Sequence, residues 1–143
     1  MAISQAVANS FKKEILEGIH DLESGGDAFK LGLYTSAATL SSATTSYTTS
    51  SEVAASGEYV AGGGVLQTQQ VSLATGGVAI VDFADLSFTG VTLTARGALI
   101  YNSTEAKKAV CVLDFGADKT ATSGTFTIQF PQFTSSSAIL RIA

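Results

Sequence analysis

Few residues of this chain are suited to polar chemistry. Its 143 residues include one histidine, His20, and one cysteine, Cys111. Nucleophilic catalysis by a Ser-His-Asp or Cys-His unit needs a histidine beside the nucleophile. His20 falls on the polar face of a predicted helix, which indicates an exposed surface residue, and Cys111 lies in a hydrophobic run typical of a core strand. We therefore predict no catalytic residues and no enzyme activity.

The sequence also lacks the residue patterns that bind metals or cofactors. One histidine and one cysteine are too few for a structural zinc site. Asp82, Asp85, Asp114 and Asp118 offer oxygen ligands, but their spacing matches no calcium-binding loop. Gly62–Gly64 is followed by no Lys-Ser/Thr pair, so it does not indicate a phosphate loop. We predict no metal and no cofactor, and only an acid pair for glycoside hydrolysis stays open as an enzymatic alternative.

Composition narrows the class of partner. The net charge is −4 and no basic cluster is present, which argues against nucleic-acid binding. No apolar run approaches a membrane span, and the start of the chain lacks the pattern of a signal peptide, so we expect synthesis in the cytoplasm and no membrane partner. Apolar residues make up 45% and charged residues 14%, which predicts a folded single domain over 1–143.

The amino-terminal segment, 1–24, predicts one amphipathic helix from Ile3 to about Leu22. Its apolar face is made of residues spaced four apart, namely Val7, Phe11, Ile15 and Ile19. Ser4 is the expected N-cap and Gly25–Gly26 the expected end. This face must be covered either by the protein's own sheet or by a partner subunit, so its four residues are candidate interface residues.

The rest of the chain favours strands. Alternation and turn residues predict the strands Phe29–Tyr34, Val65–Leu73, Val78–Phe83, Val91–Tyr101, Ala109–Phe115, Thr125–Phe130 and Ala138–Ile142. About seven short strands after one helix indicate a mainly β fold, an antiparallel β-sandwich or jelly-roll-like domain whose β core spans 65–143. Ala109–Phe115 is apolar on both faces for most of its length, which suits a central strand.

Residues 35–64 form a Ser/Thr/Gly-rich segment with little periodicity. Structureless stretches of this length are uncommon in compact domains. We interpret this one as an extended arm or long loop with Tyr47, Val53 and Tyr59 as anchors, and we take Tyr47 and Tyr59 as further candidate interface residues. Serine and threonine in place of charges make a surface that neighbours can bury at modest desolvation cost, which hints at assembly.

The order of segments resembles a group of small structural proteins encoded by tailed bacteriophages. The segments that carry this resemblance are NSFKKEILEGIHDL (Asn9–Leu22), FKLGLYTSAATL (Phe29–Leu40), TTSYTTSSEV to GEYVAGGGVL (Thr44–Leu66), VDFADLSFTGVTLTARGALIYNST (Val81–Thr104), AVCVLDFG (Ala109–Gly116), SGTFTIQFP (Ser123–Pro131) and SSSAILRIA (Ser135–Ala143). The resemblance covers nearly the whole chain and implies a virion component.

Small β-rich virion proteins often decorate the capsid shell, frequently as trimers. The resemblance therefore implies a non-enzymatic head decoration (cement) protein, present in the virion as a homo-oligomer, possibly a trimer, and bound to the major capsid protein or to other virion subunits. Repetition of weak contacts over a symmetric shell would multiply their effect through avidity. The alternatives are a tail, neck or baseplate component, and a receptor- or glycan-binding module on the virion.

Overall fold

The structure is a computed structural model that describes residues 2–134 and 136–143. Within these residues the chain is mainly β, with antiparallel sheets and one short helix. The elements are β1 (Ala6–Val7), α1 (Asn9–Leu16), β2 (Phe29–Tyr34), β3 (Gly64–Val65), β4 (Gln70–Ala74), β5 (Val78–Asp82), β6 (Leu86–Asn102), β7 (Lys108–Ile128) and β8 (Leu140–Ile142). The prediction of a mainly β fold with antiparallel strands is confirmed.

The larger sheet of the described residues has the strand order β1-β7-β6-β2-β3, and every pair in it is antiparallel. Its centre is apolar on both faces: Leu31 and Leu33 of β2 and Leu99 of β6 are fully buried. Such strands need cover on both sides. The loop over residues 35–63 supplies part of it, since the Tyr59 ring packs on Phe88 of β6. The main core therefore lies on this sheet.

The two strands predicted at Ala109–Phe115 and Thr125–Phe130 are one continuous strand, β7. The turn expected between them does not form, because this stretch stays paired with β6 as far as Ile128. Gly116 and Ser123 take positive φ values of 79° and 46°. Several register shifts interrupt the β6–β7 ladder. Irregular residues of this kind bend and twist a strand without ending it.

The smaller sheet has the order β4-β5-β8, again antiparallel. The strand predicted at Val65–Leu73 is divided between the two sheets: Val65 pairs with Lys30 in the larger sheet, and Val71 pairs with Val81 in the smaller one. Thr68, between the two parts, has a positive φ of 56°, which breaks the extended backbone.

The predicted helix from Ile3 to Leu22 is wrong at both ends, since α1 covers only Asn9–Leu16. Ile3 bridges to Leu40, and Ala6–Val7 pairs with β7, so the backbone of this stretch is engaged in sheet bonds. The N-cap position is Ala8 and not Ser4. Gly18 has a φ of +75°, which ends the helix well before Gly25.

Residues 35–63 contain isolated bridges but no regular strand, and they pack on the larger sheet. Val53 and Tyr59 are buried and Tyr47 is partly buried, as expected for anchors. The ring centroid of Tyr59 lies 5.0 Å from that of Phe88 on β6. The segment is thus a long loop that packs on the larger sheet.

Candidate functional site

A groove with a volume of about 610 Å³ lies between α1 and the smaller sheet. One wall comes from the helical segment and contains Val7, Phe11, Ile15 and Leu16. The opposite wall is made by the sheet residues Val71, Ala79, Val81, Leu140 and Ile142. Charged residues of both signs also line it, namely Lys12, Asp21, Glu23 and Arg141.

Strand register explains why the sheet wall is apolar. Val71 pairs with Val81, Val81 pairs with Leu140, and Ala79 pairs with both Leu73 and Ile142. Directly paired residues, and residues two apart on one strand, share a face of a sheet. The smaller sheet therefore has one entirely hydrophobic face, and α1 lies over part of it.

The covering by α1 is incomplete. Val81 and Leu140 are buried, but Leu16 is 90% exposed, Leu73 is 74% exposed and Ile142 is 60% exposed. Each lies in the groove or on the same sheet face. Scattered exposed leucines are common, whereas a contiguous apolar patch with a polar rim marks an interaction surface. The groove is therefore the candidate functional site, and the chemistry that it offers is apolar binding.

Three of the candidate interface residues, Val7, Phe11 and Ile15, line this groove. Ile19 is half-buried after the helix end and does not line it. Leu16, which lies beside the predicted apolar arc, and the residues of the sheet wall were not predicted as interface residues. The alternation of Val71 and Leu73 with polar neighbours was the available signal for the sheet wall.

The other two candidates, Tyr47 and Tyr59, lie in a different place, around a carboxylate within the long loop, that of Glu52. Both tyrosine hydroxyls donate to Glu52, Tyr59 over 2.7 Å. The backbone N–H of Gly62 donates to the same carboxylate at 2.7 Å, and the Tyr101 hydroxyl donates to the Gly62 carbonyl at 2.6 Å. Tyr59 is completely buried within its own chain, so its role in this structure is internal.

All four tyrosines of the chain surround Glu52, and all four titrate abnormally. Burial raises the pKa of Tyr101 to about 12, and it raises the pKa of each of Tyr34, Tyr47 and Tyr59 above the ordinary value of 10.0. The negative charge of Glu52 adds to the effect at each of them. The folded state therefore holds tyrosine protons that the unfolded chain releases near pH 10.

We expect the protein to lose stability as the pH rises above about 10. The unfolded state binds fewer protons than the folded state in that range, so the free energy of unfolding falls with rising pH. The ultraviolet absorbance of tyrosinate and the far-ultraviolet circular dichroism should change together, in one cooperative transition above pH 10, whereas chain unfolded in urea should titrate near 10. Gradual tyrosinate formation near pH 10 with the β signal intact would contradict this account.

His20 is buried, so its interpretation as an exposed surface residue is wrong. The helix ends at Gly18 and the chain turns back, which places the His20 ring 4.8 Å from the Phe11 ring, measured between centroids. Nε2 lies 2.9 Å from a Glu14 carboxylate oxygen, and Nδ1 accepts from the Asn102 side-chain amide at 3.0 Å. Both ring nitrogens therefore have structural partners that join the helical segment to β6.

Cys111 is a buried core residue, as predicted, and burial raises the pKa of its thiol to about 12. A thiol with that pKa is almost fully protonated near neutral pH, which makes it a poor nucleophile. Over residues 2–134 and 136–143, no three His, Cys, Asp or Glu side chains are grouped so as to hold a metal ion. The four aspartates considered for calcium are thus not assembled into a site.

Hydroxyl groups cover the solvent face of the hairpin formed by β6 and β7. Ser87 pairs with Thr127, and Thr94 pairs with Thr120, each with 2.9 Å between the hydroxyl oxygens. Thr92 accepts from the backbone N–H of Ser123 at 2.9 Å. These side chains carry no charge and already satisfy one another, so another protein can cover this face at little desolvation cost.

None of the helical residues that the structure describes forms a segment of the length and hydrophobicity required to cross a membrane. Comparison with protein-family models, with curated proteins and with solved structures finds no match for this chain.

Proposed function

We propose that this chain is a non-enzymatic structural subunit of a tailed-bacteriophage particle, a head decoration protein that binds the major capsid protein and stabilises the shell. The observation that carries the proposal is the half-covered groove between α1 and the smaller sheet, with Leu16 at its edge. The resemblance of the chain to phage structural proteins indicates that the particle is a phage. The groove is the surface through which the chain would attach to that particle.

The shape and chemistry of the groove suit a structural contact. Covering exposed apolar surface stabilises a complex by roughly 25 cal/mol per Å² of area removed from water. A single groove of this size gives a modest contact, because association also costs translational and rotational freedom. Many copies on one symmetric shell add their effects, so weak individual contacts are sufficient for a decoration protein.

We further propose that the fold is a β-sandwich, in which the two antiparallel sheets form the two layers. Its support is the hydrophobic cluster, which runs without interruption from Leu99 and Val112 of the larger sheet to Val81 and Leu140 of the smaller sheet. Phe83, which follows β5, bridges the two, with its ring centroid 5.9 Å from that of Phe29 on β2. Shared burial of this kind is how sandwiches form one core from two sheets.

Binding to phage heads tests the proposal. Heads made without this protein are mixed with purified wild-type chain or with Leu16→Glu or Ile142→Glu, both changes at exposed positions of the groove. We expect wild type to bind and each variant to bind at least about tenfold more weakly, because a charge must be desolvated in an apolar contact. Both side chains are more than half exposed, so we expect the fold to tolerate each change.

Val60→Glu is the matched control, because Val60 is also exposed, at 56%, but lies in the long loop outside the groove. It should bind like wild type. Groove variants that bind heads as tightly as the control would remove the groove from the mechanism. Wild-type protein that binds tails but not heads would replace the decoration role with a tail, neck or baseplate role.

A further inference from the structure

β4 is an open edge of the smaller sheet. Among the described residues it pairs only with β5, and its residues from Gln70 to Leu73 are exposed. An edge strand presents unpaired backbone N–H and C=O groups, which makes it a template for another strand. Natural proteins that remain monomeric protect such edges with charged side chains, prolines, bulges or covering segments.

This edge has none of those protections in its sequence. From Tyr59 to Val81 the chain has no charged residue and no proline, although Glu58 and Asp82 flank that stretch. The free outer side of β7 is different: it carries Asp118 and Lys119, and Gly116 and Ser123 interrupt it with positive φ values. The outer side of β7 is thus guarded, whereas β4 is left free to pair.

The charge distribution indicates that the partner of the β4 edge is a second copy of this chain. Each chain has a net charge of −4, so two copies repel each other over most of their surfaces. The neutral stretch around β4 is where two copies approach without like charges in contact. An antiparallel strand pair about a two-fold axis is self-complementary, as a symmetric dimer requires.

We infer that two copies of this chain pair through β4, antiparallel about a two-fold axis at Ser72, and join their smaller sheets into one continuous six-stranded sheet. In this register Val71 lies opposite Leu73 of the partner subunit, so the exposed apolar side chains of β4 cover one another. The hydrophobic faces of the two sheets become continuous, and the two grooves lie on one side of the dimer. This inference does not rest on the phage role.

Sedimentation equilibrium of the purified chain tests the pairing at about 0.15 M salt, where the repulsion between two chains of charge −4 is screened. We expect a mass of about twice the 14.6 kDa of one chain. The double substitution Val71→Lys with Leu73→Lys places like charges across both cross-strand pairs, so the dissociation constant should rise at least about tenfold. Val60→Lys, at an exposed apolar position away from β4, is the control and should remain dimeric.

A second variant tests the proposed register of the two β4 strands. It also distinguishes a loss of pairing from misfolding of the chain. Val71→Glu with Leu73→Lys places opposite charges across the same two pairs, so it should form the dimer again. A wild-type chain that sediments as a monomer or a trimer would overturn the inference. So would a double-lysine variant that is as dimeric as wild type, or a Glu/Lys variant that stays monomeric. None of these masses depends on phage heads, so the result is independent of the head-binding test.

Discussion

Glu52→Ala is expected to lower the free energy of unfolding by about 3 kcal/mol, because the change leaves several hydrogen-bond donors without their acceptor. The carboxylate accepts from Tyr47, Tyr59 and the N–H of Gly62, of which Tyr59 and Gly62 are buried. Each buried donor left without a partner costs about 1–3 kcal/mol. Urea unfolding followed by circular dichroism measures the loss.

Two further substitutions isolate the role of this carboxylate. Glu52→Gln keeps one acceptor oxygen in place, so its loss of stability should lie between wild type and Glu52→Ala. Glu58→Ala, in the same loop, removes an exposed carboxylate that accepts from the N–H of Thr89, and it should change stability much less. Equal stability of Glu52→Ala and Glu58→Ala would show that the long loop is not held by Glu52.

Gly63→Ala is expected to destabilise the fold by about 4 kcal/mol or more, which places it among the most severe single substitutions. A Cβ at this position would lie 1.8 Å from the carbonyl oxygen of Leu31, and Gly63 has a φ of +80°. The added methyl group must push the start of β3 away from β2 and break the Leu31–Gly64 pair. Thermal and urea unfolding both report the effect.

Gly76→Ala is the matched control for backbone strain. Gly76 has nearly the same φ, +84°, but no atom lies within 4 Å of its ideal Cβ position. The substitution should lower the free energy of unfolding by only about 1–2 kcal/mol, which is the cost of placing alanine in the left-handed backbone conformation. Similar losses for the two variants would contradict the close approach of Gly63 to β2 and attribute the whole effect to strain.

Local patterns predicted the strands whose ends coincide with a break in the run of apolar residues. Phe29–Tyr34 is found as β2 with the predicted bounds, and Val78–Phe83 differs from β5 by one residue. In both, alternating or continuous apolar residues are bounded by glycine, alanine or aspartate, so the pattern and the strand coincide. The merging of two predicted strands into β7 is different, because pairing with the preceding strand, β6, keeps the backbone extended past Gly116, where the local sequence favours a turn.

The amino-terminal helix shows how tertiary contacts override periodicity. The i+4 spacing continues from Val7 to Ile19, but β7 binds the backbone before Asn9, and Gly18 ends α1. The same early end explains the buried position of His20, since the projection onto a long helix placed it on a polar face. Periodicity is a local signal and contains no information about a competing strand.

One of the two walls of the candidate groove could therefore be predicted from the sequence. The helical wall, with Phe11 and Ile15, follows from spacing along one segment. The sheet wall depends on the register of three strands, in which Val81 lies between Val71 and Leu140. Leu140 is remote in sequence from both, so no local pattern predicts that the three side chains share one face.

Electron microscopy of the assembled phage particle tests the proposed decoration role. We expect density for this chain at many symmetry-related positions on the head, with the groove between α1 and the smaller sheet covered by the capsid subunit. Density in a few rings along the tail axis, or copies on the head whose groove faces solvent, would contradict it.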